Sequence, residues 1–568
     1  MSYDLDSVLT SESVSLATLD SDVDSQNLTN LQPRDVDEND INTKKLQRRE
    51  SINELARRES IHSLYPDQIN LDQLSRQSSR KNEVDLTPVT DNSCDDGGSL
   101  DSFDPNEVIL EVGDKYDMYL MPVWRKWIIT ITLALIGLDI CILSSCWSLV
   151  SPLQTKYKVS HEVFVLGVSF YIFGMACGPL FLSPLSETYG RRATYITGLL
   201  FCIIFQILTC FVHNYGCMIF SRYVTGLFGS VFLSVAPGTI SDIFTKQDIG
   251  IPLSIYSLSP FLGPSLGPLL AGIVTEYTSG EKYMWTFYSI LIFTCFLLAV
   301  LVIVVPETYQ PVLLKWKAEE LRKTTGNQDL YAPLHKAEIG LFTAILQAPK
   351  RPLLVLVKDP MMTVLCFYSG LILGIVYLFF VSIPYTFRTV WGFNTAQQGL
   401  AFLGMTIGMM ISSILSRYFS QLYLKLSKKN GKPEPEFRFP SLICGGIFAP
   451  ISLFILAFTT YKQCHWVGAI VASGCFGLST GLIISSIFTY TADAYRLYAA
   501  SAAAANTFAR CSMAAIFPLF GLQLYEKLGV HYASLLLGCI ALLLTPVPFL
   551  FYKYGKSLRQ KSPYAWVE

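Results

Sequence analysis

The sequence predicts an all-α membrane protein, twelve transmembrane helices in two six-helix bundles, and three observations carry that expectation. Apolar residues make up 51% of the 568-residue chain and charged ones only 15%, with a mean hydropathy of +0.39. A water-soluble chain of this size does not show that imbalance. Twelve apolar runs can be drawn, each of about 20 residues and so long enough to cross roughly 30 Å of hydrocarbon as a helix. Between the sixth and seventh lies a segment, 309–358, that carries eight Lys and Arg residues and divides the runs six and six. Two halves around a central cavity follow from that division.

Ahead of the first run, residues 1–117 hold 26 acidic and 11 basic side chains, against 18 and 32 in the remainder. They are rich in Ser, Asp and Asn, poor in aromatics, and predict a disordered acidic tail. Within it RRESINELA is followed at once by RRESIHSL, which places Ser51 and Ser60 in the R-R-x-S pattern of basophilic kinases. Both are candidate phosphorylation sites with a kinase as partner, and a solvated mixed-charge segment is the plainer reading. No signal peptide is visible, because the first long apolar run begins near Trp127.

The runs fall near 127–149, 162–182, 193–212, 216–237, 251–273, 286–305, 361–382, 396–416, 440–459, 467–489, 498–520 and 532–552. With both termini cytoplasmic, 24 Lys and Arg lie beside the spans on the inside and 6 on the outside, which sets the orientation. The expected organisation is an N-terminal bundle over 118–306, a cytoplasmic linker over 307–358, a C-terminal bundle over 359–553 and a cytoplasmic tail over 554–568.

Charges inside the spans are the sharpest functional signal. Of the 18 acidic residues after the tail only Asp139 falls in the middle of a run. An intramembrane acid is costly unless it faces a polar cavity or a partner, so its default reading is a protonation site. Arg222 in the fourth run is the leading cation to face it. Arg510 lies mid-span in the eleventh run with Asn506 one turn earlier on the same face, and Asp493 ends the tenth. Gating and static packing are the two readings of Arg510. One proton crossing 100 mV yields about 2.3 kcal/mol and each pH unit about 1.4 kcal/mol, so a single titrating site can drive accumulation.

At the end of the second run, Glu187, Gly190, Arg191 and Arg192 in SPLSETYGRR suit a short turn whose charges bond neighbouring helix ends and release them on movement. Gly263-Pro264-Ser265-Leu266-Gly267 fits the G-x-S-x-G elbow of serine hydrolases, but no strand precedes it. Gly263, Pro264, Gly267, Pro268 and Gly272 therefore read as a pliant helix face packed against the other half. Trp147, Tyr171, Tyr368, Tyr377 and Phe380, with Phe170, offer rings for a lipophilic cation. Fourteen cysteines lie mostly in apolar runs without C-x-x-C pairs and read as packing residues. All six histidines sit in the tail, loops or span ends, which suits no metal site. Walker A, H-E-x-x-H and kinase signatures are missing, so neither a cofactor nor a nucleic-acid partner is implied.

The segment SPLSETYGRR resembles the loop motif G-x-x-x-D-R-x-G-R-R of the major facilitator superfamily, with Ser183, Glu187 and Thr188 in place of its glycine, acid and first arginine. Arg222 and Gly226 in SRYVTGLFG resemble the family's R-x-x-x-G, and GPSLGP resembles its antiporter motif G-P-x-x-G-G, with Pro268 replacing the last glycine. PETYQPVLL (306–314), KAEELRKTTGN (317–327) and ADAYRLYAASAAAANTFARCSMAAIFPLFG (492–521) resemble the fungal twelve-span drug:proton antiporters, a group with multidrug, cycloheximide-resistance and polyamine exporters. The likeness covers about residues 120–565. It implies a monomeric exporter in the plasma membrane, ahead of the vacuolar one, that exchanges protons for lipophilic or cationic small molecules, Asp139 giving up its proton to substrate. An importer or facilitator of an organic cation or nutrient on the same fold, and a non-transporting receptor whose long tail binds partners, are the alternatives.

Overall fold

In hydrocarbon each backbone N–H and C=O must be bonded within its own segment, and helix is the form that achieves this for a single strand of chain. The computed structural model accordingly forms helices through all twelve runs. It describes residues 108–109, 114–245, 248–278, 283–332, 348–431, 434–495 and 498–565. Ser51, Ser60 and most of the expected acidic tail lie outside the described residues.

The spans are α1 (Val123–Leu149), α2 (His161–Tyr189), α3 (Arg191–Phe211), α4 (Tyr215–Ile243), α5 (Gly250–Tyr277), α6 (Trp285–Val304), α7 (Pro360–Trp391), α8 (Thr395–Asn430), α9 (Pro435–Thr459), α10 (Val467–Ala494), α11 (Ala499–Leu528) and α12 (Val530–Gln560). Their limits follow local chemistry. The Ser160 side chain accepts from the Val163 N–H to start α2, and Asp359 accepts from the Met361 and Met362 N–H groups to start α7 with Pro360 in its first turn. Gly392, left-handed at φ 71°, ends α7. Several helices run past their apolar stretch, α8 as far as Asn430, because a polar turn continues a helix at no cost once it leaves the bilayer.

Within the first half α1 packs on α5, α2 on α4 and α3 on α4; within the second, α7 packs on α11, α8 on α10, and α9 on α10 and α12. The halves meet where α2 touches α11 and α5 touches α8. One apolar core runs from Cys141–Leu153, Phe164–Ala176 and Ala271 of the first half into α7 to α12, whereas a separate core holds Ile129–Ile140, Tyr195–Cys202, Val231–Phe244 and Leu297–Val305. The shared core therefore lies toward the end where α1 turns into α2, and the linker end of the first half keeps its own.

Polar contacts between the halves follow the same division. Ser144 Oγ and Tyr377 Oη are 3.1 Å apart, Thr406 Oγ1 donates to Ser265 Oγ (2.8 Å), the Thr395 N–H donates to Glu276 (3.1 Å), and Gln523 Nε2 donates to Glu162 (3.4 Å). At the linker end the ion pairs Arg191–Asp242, Arg438–Asp493 and Arg559–Glu436 each stay within one half. The first two occupy equivalent places, the start of the third span and the end of the fourth in each half, and expose a repeat that is barely visible in the sequence.

The acidic tail was expected to be structureless as far as Asp117; its described end is instead clasped by the linker helix Gln310–Thr325. Lys317 pairs with Asp114 and donates to the Ile109 carbonyl (2.9 Å), Lys115 and Tyr116 both donate to Glu320 (2.6 Å each), and Val108 packs on Ala318. Lys317 and Glu320, three residues apart, share one helix face. Burial opposes ionisation of Asp114, but hydrogen bonds from Lys317 and the Tyr116 N–H outweigh it and hold the carboxyl below its ordinary value. Glu320 is held low by hydrogen bonds from Lys115 and Tyr116. A depressed carboxylate contributes fully above its unfolded value and loses that contribution as pH falls through the folded one. Hydrogen-exchange protection of 310–325 is thus expected to hold down to about pH 4, to fall below it, and to weaken in high salt; protection insensitive to both would remove the clasp.

Candidate functional site

Asp139 sits on α1 and is 1% exposed. Thr294 on α6 donates to its Oδ2 at 2.7 Å, and the same hydroxyl lies 2.9 Å from the Ile290 carbonyl. Tyr171 of α2, Cys202 of α3 and Cys295 of α6 lie within electrostatic reach of the carboxylate. The acid points into its own half. It neither opens on the space between the halves nor pairs with Arg222, as the sequence suggested; among the described residues no ion pair includes it.

Arg222 is occupied elsewhere. Buried to 2% exposure, it donates to the Leu143 (2.7 Å), Ser144 (3.3 Å) and Gly167 (3.1 Å) carbonyls and lies over the rings of Tyr171 (4.4 Å) and Trp147 (5.3 Å). The reason is local: α1 tightens into a 3-10 turn at Cys146–Leu149, which frees the Leu143 and Ser144 carbonyls where a bilayer cannot solvate them, and a guanidinium offers donors enough for both and for Gly167 of α2. Gln206 on α3 lines a small cavity beside Arg222, and both atoms of its amide lack partners.

Trp147 and Tyr171 thus support Arg222 within the first half. Trp147 donates to the Phe164 carbonyl (2.9 Å) and Tyr171 to that of Ile140 (2.8 Å). Phe170 is exposed and pairs with Tyr223. Tyr368 is buried within the second half against Gly446. Tyr377, which meets Ser144 across the halves, and Phe380, edge-on to it at 5.0 Å, are the members of the aromatic set placed at the interface.

On α11, Arg510 lies over Phe488 of α10 at 4.9 Å and within electrostatic reach of Cys141 of α1 and Tyr377 of α7. Its Nε has no partner. Asn506, one turn earlier and 2% exposed, accepts from Ser369 Oγ (3.4 Å) while its Nδ2 is unpartnered. Arg510 and Asn506 are thus brought together where both halves meet. Asp493 is not part of this group, for it ends α10 at the linker end, held by Arg438 Nε at 2.9 Å.

The glycine face of α5 turns mostly toward α1, not toward the other half. A Cβ on Gly263 would lie 2.2 Å from that of Cys141, and one on Gly267 would lie 2.1 Å from Ser145 Oγ and 2.6 Å from the Ile142 carbonyl. Pro264 and Pro268 are buried within the same continuous helix. Only Gly272, against Thr395 and Gly399, and the Pro268 carbonyl, beside Gly399, reach α8. At 3.6 residues per turn the five positions fan across about half the circumference, so Gly263 and Gly267 at one edge meet α1 and Gly272 at the other meets α8. Ser265, within this helix, bonds the Leu262 carbonyl and Thr406, with no base beside it.

The loop between α2 and α3 is built around an acid from elsewhere. Gly190 has φ +96°. The N–H groups of Arg191 and Arg192 donate to the two oxygens of Glu307 (2.9 and 3.0 Å), which also accepts from the Thr308 and Tyr309 N–H groups. Arg191 adds Asp242 (3.3 Å) and Ser186 (2.9 Å), Arg192 the Val302 carbonyl (2.9 Å), and Glu187 lies in the field of Arg191 and Arg351. The loop therefore ties the linker ends of α2, α3, α4 and α6. In the sequence Glu307 stands within PETYQPVLL with no role assigned, and Asp242 carries no signal of its own. Thr294 gave no signal, being one more hydroxyl in an apolar run.

Twelve spans in two repeated halves, with buried charges inside and a charged loop at one end, define a secondary membrane transporter. The family model described as Major Facilitator Superfamily matches residues 129–518, and the chain belongs to that superfamily, a family of transporters and not of enzymes. It is 44% identical over 446 residues to the "Probable drug/proton antiporter YHK8" of Saccharomyces cerevisiae, covering 78% of this chain and 86% of that one. It is 40% identical over 421 residues to the "Efflux pump atB" of Aspergillus terreus, covering 73% and 88%. Among solved structures, the xylose transporter XylE from E. coli matches with a TM-score of 0.53 and 15% identity over 76% of this chain and 99% of its own, a likeness of fold alone.

Proposed function

We propose that this chain is a proton-coupled efflux transporter of lipophilic small molecules that works by alternating access in the plasma membrane, with both termini cytoplasmic. One observation carries the reading: the single acid in the middle of a span is tied across two helices by one hydroxyl that has a second acceptor at hand. A hydroxyl carries one proton to give. With Asp139 ionised, Thr294 donates to it and α1 is joined to α6. With Asp139 protonated, the acid donates to Thr294 Oγ1, and the threonine proton turns to the Ile290 carbonyl. Both charge states are satisfied, and the tie between the helices changes strength between them.

The proton site and the substrate site are separate in this scheme. Asp139 acts behind α1, while substrate binds between the halves near Arg510, Asn506, Tyr377 and Phe380. Coupling runs through α1, whose next turns are held by Arg222 and meet Tyr377 through Ser144. The halves are tied at the end away from the linker, and in the proposed cycle the linker end is the one that opens to the cytoplasm to load substrate. Proton exchange at Asp139 belongs to a conformer in which α6 has moved off it. Polyamines find little support, because no described acid faces the space between the halves at mid-depth.

Inside-out vesicles holding the full chain test the function. An imposed proton gradient is expected to drive uptake of a lipophilic fluorescent probe, and a protonophore to collapse it. Uptake unaffected by the protonophore, or dependent on ATP, would refute the reading.

A further inference from the structure

The groups left over at the interface between the halves share one character. Arg510 Nε and Asn506 Nδ2, one turn apart on α11, are both buried donors without partners, while the Asn506 carbonyl is already served by Ser369. What these two atoms lack is an acceptor. The guanidinium rests on the Phe488 ring and bonds the Cys511 side chain, with no carboxylate beside it among the described residues, and the mid-membrane acid is sealed behind α1 with Thr294. An unpartnered donor in a low-dielectric interior is expensive, and a planar guanidinium matches a carboxylate through two parallel bonds.

We propose that Arg510 and Asn506 form the head-group site for a lipophilic monocarboxylate, the carboxylate lying on Arg510 with one oxygen accepting from Asn506 Nδ2 and the apolar remainder against Phe488 and Tyr377. This rests on the efflux reading and narrows its substrate to acids in their anionic form. A cationic substrate would meet Arg510 with no acid to offset it. The charge balance of the cycle follows: exchange of an anion leaving for a proton entering adds the two charge movements, whereas a cation exchanged for a proton cancels them. Transport is therefore electrogenic and responds to membrane potential as well as to pH.

Three probes on one ring system separate the possibilities: naphthylacetate, its methyl ester, and naphthylethylammonium. In inside-out vesicles under a proton gradient, naphthylacetate is expected to accumulate at least about 10-fold more than the ester or the ammonium. Clamping the potential at fixed pH difference is expected to change the naphthylacetate rate. Arg510→Gln is expected to reduce its uptake about 10-fold or more and Arg510→Lys to retain part of it, with protein amount in the vesicles unchanged. Arg510→Glu is expected to reverse the preference toward the ammonium, an outcome that a misfolded variant cannot produce. Equal or better uptake of ammonium or ester by the unaltered chain, or full naphthylacetate uptake by Arg510→Gln, overturns the assignment and leaves efflux standing. If no probe moves with the gradient, the efflux reading fails and this one with it.

Discussion

Replacing Asp139 by asparagine is expected to abolish gradient-driven transport while leaving the fold and substrate binding in place. Asparagine has nearly the same shape, and its amide oxygen still accepts from Thr294, which now donates to Oδ2 at 2.7 Å. What it loses is the ability to take up and release a proton. For an uncharged lipophilic probe, 100 mV and one pH unit across the membrane let a coupled cycle of one proton per substrate sustain a concentration ratio of about 500-fold. The asparagine variant should equilibrate near unity and bind a fluorescent substrate as well as the unaltered chain does. Undiminished accumulation in Asp139→Asn would remove this carboxyl from the mechanism. Thr294→Val tests the second half of the argument: it keeps the acid and removes the switchable tie, so coupling should weaken with the protein still folded.

Arg222→Ala should cost more than any other single change among the buried charges, by about 3–5 kcal/mol. It leaves the carbonyls of Leu143, Ser144 and Gly167 without the donors that now serve them at 2.7–3.3 Å, in a region where water does not substitute. It also removes the cation that lies on Tyr171 and Trp147. Arg222→Lys should recover only part of the loss, since a point charge on a flexible stem does not match several carbonyls set by two helices. Thermal unfolding of the detergent-purified chain measures the order, with the unaltered protein above lysine and lysine above alanine. Equal stability of the arginine and alanine forms would show that the α1 carbonyls are satisfied in another way.

The class of protein and the number of spans were legible without coordinates because both depend on local quantities. A run of apolar residues long enough to cross the bilayer must be helix, and the Lys and Arg beside it bear on its direction, whatever its neighbours are. The candidate residues were legible only as a set. An acid or arginine in hydrocarbon needs a partner, so Asp139, Arg222 and Arg510 stood out by cost alone. The partner of each depends on which face the helix turns inward, and a uniformly apolar run gives no stripe from which to read it. Hence Asp139 was set against Arg222 in the sequence, while the structure gives it Thr294. The glycines of α5 read in the sequence as a face toward the other half, whereas Gly263 and Gly267 lie on α1.

Composition and the spacing of apolar runs suffice for a twelve-span membrane chain divided six and six with costly charges in its interior, since these are sums along the chain that any packing must respect. Packing alone could assign Glu307 to the Gly190 turn, seat Asp139 behind α1, and leave Arg510 and Asn506 as paired donors between the halves. The first two are relations between residues 115 to 155 positions apart and the third depends on which way α11 faces; all are set by helix rotation, and rotation is a property of neighbours and not of any single run.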